Sequence, residues 1–205
     1  MAMRFQINIK SVLLVILFVT FCLHISAQEQ DSKWEESQQT YINYKYGFIW
    51  HLNEEFNWKL QPLRQKGSIF AASDSESHIV AYILTSKLNS KINDIWKNHQ
   101  DFLRGISENI EQDSGIRLIY SKKVLLQGKH ALKTKLSYSL SKDDRFQNDG
   151  IDFDIYQYCV LINGNCVMFN IMVLSGLEEE LYKYNLTIEN ALFGGIVLTT
   201  PEQLK

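Results

Sequence analysis

"YGFIWHLNEEFNWKL", Tyr46 to Leu60, places five aromatic residues and a glycine in one short stretch. Its first half alternates: Phe48, Trp50 and Leu52 fall on one side of an extended chain, with Ile49 and His51 on the other, the period of a half-buried strand. Asn53-Glu54-Glu55 supplies a turn, and Phe56-Asn57-Trp58-Lys59-Leu60 alternates again with every large apolar residue on one side. The stretch therefore predicts two short strands that share one buried face, the first corner of a core.

Outward from this corner the same logic recurs. Residues 28–40, QEQDSKWEESQQT, are polar and lack a period, which predicts a disordered leader. Ser68 to Ala72 and His78 to Thr85 read as a strand pair around the polar turn Ser73 to Ser77. A helix follows, opened by Asn93 as N-cap and Asp94 in its first turn. It carries Ile95, His99, Phe102, Ile106 and Ile110 at helical spacing and closes at Gly115. Strands over Ile116 to Tyr120 and Lys123 to Leu126 lead through Gln127-Gly128 into a long strand. Leu132, Thr134, Leu136, Tyr138 and Leu140 line one face of it, while Lys133 and Lys135 on the other face see water.

Residues 141–150, SKDDRFQNDG, form an exposed loop before the strongest hairpin, Phe153 to Leu174. Asn163-Gly164 is the preferred type I′ dipeptide and fixes the register, with Leu161 opposite Cys166 and Cys159 opposite Met168. One face of this hairpin is then almost continuously apolar, from Tyr156, Tyr158 and Val160 through Phe169 and Ile171. The other mixes Gln157, Cys159, Cys166, Met168 and Asn170, which predicts partial cover. A capping box, Ser175-x-x-Glu178, opens a last helix that Gly194-Gly195 stops, and Ile196-Val197-Leu198 closes the sheet. Antiparallel pairs with a middle and a late helix predict an α+β fold, an antiparallel sheet sandwiched by helices, in a single domain over residues 41–200.

The N-terminus has its own pattern. Arg4 and Lys10, the apolar run Val12 to Leu23, and Ser26-Ala27 follow the order of a cleaved secretory signal peptide over residues 1–27. The run is too short to span a bilayer, which requires roughly 18 residues. Phe21 before Cys22 argues against a lipid-anchored cysteine, though an uncleaved anchor and a lipid at Cys22 stay open. Of 205 residues, 178 remain after Ala27, with 19 basic against 23 acidic, a net charge of −4. That balance disfavours nucleic acid and anionic membranes as partners. Secretion or a periplasmic home follows, and two cysteines enter an oxidising compartment. Their diagonal placement across the hairpin favours free thiols over a strained bridge.

The order of these motifs resembles the PsbP-like superfamily, which includes the extrinsic photosystem II subunit, a Ran-binding nuclear import factor and bacterial DcrB-like proteins. Asn43-Tyr44-Lys45-Tyr46-Gly47-Phe48 and the later Trp58 are similar to the family's opening strand and its tryptophan. The helix at Asp94-Ile95-Trp96, the Gly128-Lys129-His130-Ala131 turn, the Asn163-Gly164 hairpin and the final helix and strand continue the likeness from about Tyr41 to Leu198. The family's usual proline before that tryptophan is missing. What the resemblance implies is a small sheet sandwiched by helices and a role in docking to other proteins.

Catalytic and metal motifs are weak. His51, His78, His99 and His130 are scattered, one per element, and no cofactor or metal site is expected. The acidic stretch Asp143 to Asp154 lacks the alternation and the glutamate of a calcium loop. No Gly-x-Ser-x-Gly elbow occurs, and a thiol enzyme would need Cys159 or Cys166 beside a histidine from another strand. Glu54-Glu55 and Glu178 to Glu180 suit a turn and a helix start. Asn185-Leu186-Thr187 matches a glycosylation sequon within the expected last helix.

Three functions are weighed on this basis. The first is a non-enzymatic accessory or assembly factor for a protein partner. It docks by its sheet edge or loops, with Cys159, Leu161, Cys166 and Met168 as a candidate patch if the middle helix does not cover them. The second is a carrier for a lipid or aromatic ligand, in a pocket between helix and sheet lined by Trp50, Trp58, Tyr156 and Tyr158. A hydrolase using His130 or Cys159 ranks last.

Overall fold

The computed structural model describes residues 31–63, 66–75, 78–87, 94–104, 116–140, 151–176 and 193–204. Eleven strands among them form two antiparallel sheets. The small sheet, in the order β1-β2-β3-β11, joins Ser32–Glu35, Thr40–Asn43, Phe48–His51 and Ile196–Leu198. The large sheet has the order β4-β5-β6-β10-β9-β8-β7. Its strands are β4 (Lys59–Leu60), β5 (Ser68–Ser73), β6 (Ile79–Lys87), β7 (Ile116–Leu126), β8 (Lys129–Leu140), β9 (Ile151–Ile162) and β10 (Asn165–Leu174).

This arrangement corrects the expected α+β sandwich. The described chain is mostly antiparallel sheet, and one face of the large sheet is covered by a second sheet rather than by a helix. The stretch quoted above is the reason. Phe48, Trp50 and Leu52 are buried as their alternation predicts, but β3 pairs with β2 and β11 instead of joining the large sheet. Trp50 meets Phe169 of the large sheet edge-on at 5.6 Å, and Phe48 meets the same ring at 5.0 Å. The core is this aromatic contact between sheets.

Order also begins before residue 41. β1 lies in the polar stretch read as a disordered leader, and its Trp34 packs on Phe70 at 5.5 Å. The second predicted strand of the opening corner shrinks to two residues. Asn57 turns left-handed (φ 48°) between Phe56 and Trp58, and β4 is a terminal strand on which Leu60 is 54% exposed while Trp58 before it is buried. Trp58 is held by its indole N–H donating to the Asn53 carbonyl at 2.9 Å and by its backbone N–H donating to Oε1 of the buried Gln39.

The hairpin register is as read, with Cys166 opposite Leu161 and Met168 opposite Cys159, and Asn163 and Gly164 both have positive φ. Two glycines seat β11 against β3. A Cβ on Gly195 would stand 1.9 Å from the His51 carbonyl oxygen, and one on Gly47 would stand 2.7 Å from that of Thr199. The signal peptide, the acidic loop 141–150, the sequon and the last helix fall outside the described residues. Of the expected middle helix, residues 94–104 are described, with a turn over 95–98 and helix over 99–104.

Candidate functional site

The large sheet's two faces divide the candidate residues. Trp50, Tyr156 and Tyr158 share the face toward the small sheet. Trp50 stacks on Phe193 at 6.4 Å and Tyr158 meets the same ring at 4.6 Å, so Phe193 joins two of the four proposed pocket residues. Trp58 lies elsewhere in that core, against Phe56 at 5.8 Å. Tyr156 is buried and its hydroxyl has no hydrogen-bond partner among the described residues. Lys135 Nζ sits 4.9 Å over its ring and 3.2 Å from an Asp154 carboxylate oxygen.

Cys159 and Met168 are on the reverse face. This face was expected to be partly covered, and the structure covers it more fully: Cys159, Cys166, Leu132 and Ile95 are buried together, with Trp96, Phe102, Leu161 and Met168 packed around them. The cover is the segment 94–104. The Asp94 carboxylate accepts the Trp96 backbone N–H at 2.8 Å, and Trp96 in turn donates its indole N–H to the Ala131 carbonyl at 2.9 Å. The Trp96 ring also stacks on His130 at 3.7 Å.

Electrostatics on this face favour quiet groups. Both cysteines are free thiols, and burial, then the neighbouring Cys166, pushes the Cys159 thiol well above its ordinary range. Such a thiol is held protonated and is a poor nucleophile. His130 Nδ1 lies 3.1 Å from Asp94, and a hydrogen bond from this histidine holds the Asp94 carboxyl low. His99 Nε2 is 3.2 Å from the Ser121 hydroxyl, which is 3.2 Å from that of Thr134. Burial, then Lys123, lowers the His99 pKa. Gln157 Nε2 donates to Asn170 Oδ1 at 2.8 Å, so two buried amides satisfy each other. Among the described residues no three His, Cys, Asp or Glu side chains gather as a metal set, and no helix is long and apolar enough to cross a membrane.

The exposed apolar side chains have a common address that sequence reading missed. Leu60 belongs to β4 and Leu63 follows it, Ile119 and Leu125 belong to β7, and Val197 belongs to β11. β4, β7 and β11 are all terminal strands of their sheets. The edge of β11 is partly closed: Gln127, at the β7–β8 turn, donates Nε2 to the Ile196 carbonyl at 2.6 Å and accepts the Leu198 N–H at 2.8 Å.

No protein-family model and no curated protein matches the chain. Solved structures do. The fold, two antiparallel sheets packed through an aromatic core in this chain, is similar to that of a solved PsbP structure. The cyanobacterial PsbP (CyanoP) of Synechocystis sp. PCC 6803 superposes with a TM-score of 0.55 at 10% identity, over 78% of this chain and 91% of that one. LpqN of Mycobacterium tuberculosis, described as involved in cell envelope biogenesis, gives 0.47 at 14% identity, covering 74% and 83%. The Ran-binding protein Mog1p of Saccharomyces cerevisiae gives 0.44 at 7% identity, covering 76% and 92%.

Proposed function

We propose that this chain is a secreted or periplasmic, non-enzymatic protein of PsbP-like fold that docks a protein partner through the margins of its sheets, as an accessory or assembly factor. The observation that carries this reading is the address of the exposed apolar residues. A terminal strand offers its free edge to another chain, and Leu60, Ile119, Leu125 and Val197 place exposed apolar side chains on three such strands. The charged n-region, apolar run and small residues of the first 27 positions support export. The test is a crosslinking pull-down of the tagged chain, expressed from its own signal peptide in its native cell. One enriched envelope or secreted protein is the expected result, and recovery of the bare chain would overturn the reading.

A carrier is the second reading, and the Tyr156 hydroxyl favours it. An unpartnered buried hydroxyl costs about 1–3 kcal/mol, which a ligand's polar group would recover. Native mass spectrometry decides: a co-purifying small molecule, lost in Tyr156→Phe, supports the carrier, and a bare mass excludes it.

A further inference from the structure

β7 is the last strand of the large sheet and is eleven residues long, against two for β4 at the opposite edge. No residue of β7 is buried. Ile119 and Leu125 are 53% and 61% exposed. A long terminal strand presents unpaired backbone N–H and C=O groups, a template for another strand. The irregularity between Leu118 and Tyr120 distorts only the beginning, and pairing with β8 runs without a break from Tyr120 to Leu126.

The charge on this edge is one-sided. Residues 116–140 contain Arg117, Lys122, Lys123, Lys129, Lys133 and Lys135 and no carboxylate, in a chain whose net charge is −2. No ion pair of the described residues includes Arg117, Lys122, Lys123 or Lys129. Lys122 stands directly opposite Lys133, a like-charge neighbour pair that costs stability across strands. Lysines on an edge repel a second copy of the same edge. They attract a strand that brings carboxylates.

We infer that β7 is the docking edge, and that its occupant is an extended acidic segment of a partner protein added as an eighth strand. Alternation fixes the segment's chemistry. Lys122 and Lys123 point to opposite faces, so consecutive carboxylates satisfy one each. An apolar residue two positions from the carboxylate at Lys123 lies against Leu125 on the same face. Backbone pairing supplies affinity, and the lysines supply selection. This inference rests on the docking reading above.

The test is site-specific photocrosslinking of the full chain in its native cell, with Leu125→p-benzoylphenylalanine on β7 and Leu60→p-benzoylphenylalanine on β4. The expected result is a protein adduct at position 125 whose crosslinked peptide is an acidic, extended segment. In a K122E/K123E background its yield falls by about tenfold, the loss expected when steering charges are reversed, while far-ultraviolet circular dichroism stays unchanged. An adduct only at position 60 overturns the β7 assignment and leaves the docking reading standing. Silence at position 125 removes the β7 assignment, and a pull-down that recovers only the bare chain removes the docking reading with it. A self-adduct, a lipid adduct, or a yield indifferent to K122E/K123E at position 125 rejects the acidic strand.

Discussion

The two faces of the large sheet are covered by different means. One carries a second sheet, with Phe48, Trp50, Phe70 and Phe169 in edge-on or tilted contact at the interface. Among the described residues, the other carries the segment 94–104, over a cluster that includes two thiols and lies beside a buried amide pair. Aromatic burial between sheets provides large apolar area, with the Tyr156 hydroxyl as an unpartnered buried polar group among the described residues. The reverse face keeps polar groups inside and must satisfy each of them. The first face is expected to carry most of the stability, and the second to open before it.

Substitutions that separate the faces test this division. The largest effect belongs to Trp50→Ala, which removes a fully buried indole and is expected to cost about 3–5 kcal/mol; urea titration measures it, and a loss under 1 kcal/mol would deny the sheet interface its role. Ile95→Ala is expected to cost about 2–3 kcal/mol and to do something Trp50→Ala does not. It raises the rate at which maleimide labels Cys159 and Cys166 under native conditions, because it thins their cover. Equal labelling in wild type and variant would break the distinction. Asn170→Ala leaves the Gln157 amide without its acceptor, at a cost of about 1–3 kcal/mol, which the double variant with Gln157→Leu partly restores.

Acidification probes the reverse face more gently. The His99 pKa is lowered in the fold from 6.5, so the unfolded chain takes up the proton first as pH falls. The stability associated with neutral His99 is therefore complete above that value and declines as pH drops below it. Melting temperature followed from pH 7.5 to 5.5 is expected to fall, and His99→Gln to flatten the slope; an unchanged slope would remove His99 from the account. K122E/K123E is the smallest expected effect on folding, within about 0.5 kcal/mol as for exposed positions generally, despite its large effect on docking.

How much of this was legible in the sequence differs by element. The β9–β10 hairpin was read to the residue, because Asn163-Gly164 demands one turn type and that turn dictates every cross-strand partner. The small sheet was read only in part. The strands at Phe48 and at Ile196 to Leu198 were legible, but their pairing in a separate sheet was not. β1 and β2 have four residues each, too few for a period to rise above chance, and β1 sits in a polar stretch where Trp34 is the sole large apolar residue. Leu60 was misplaced because alternation assumes a strand covered on one face, and β4 is a two-residue terminal strand with both residues exposed. The basic edge was hidden by averaging. The overall balance is acidic, and only a window over residues 116–140 shows that every charged side chain there has one sign.

Backbone amide hydrogen exchange of the full chain, alone and saturated with the protein recovered by crosslinking, tests the docking edge most directly. In the free chain, the account predicts rapid exchange for alternate amides of β7, those directed away from β8, and slow exchange throughout β9 and β10, which are flanked by strands on both sides. On binding, the fast β7 amides should become protected while β4 and β5 are unchanged. Protection that appears at β4, or none at β7, would contradict it.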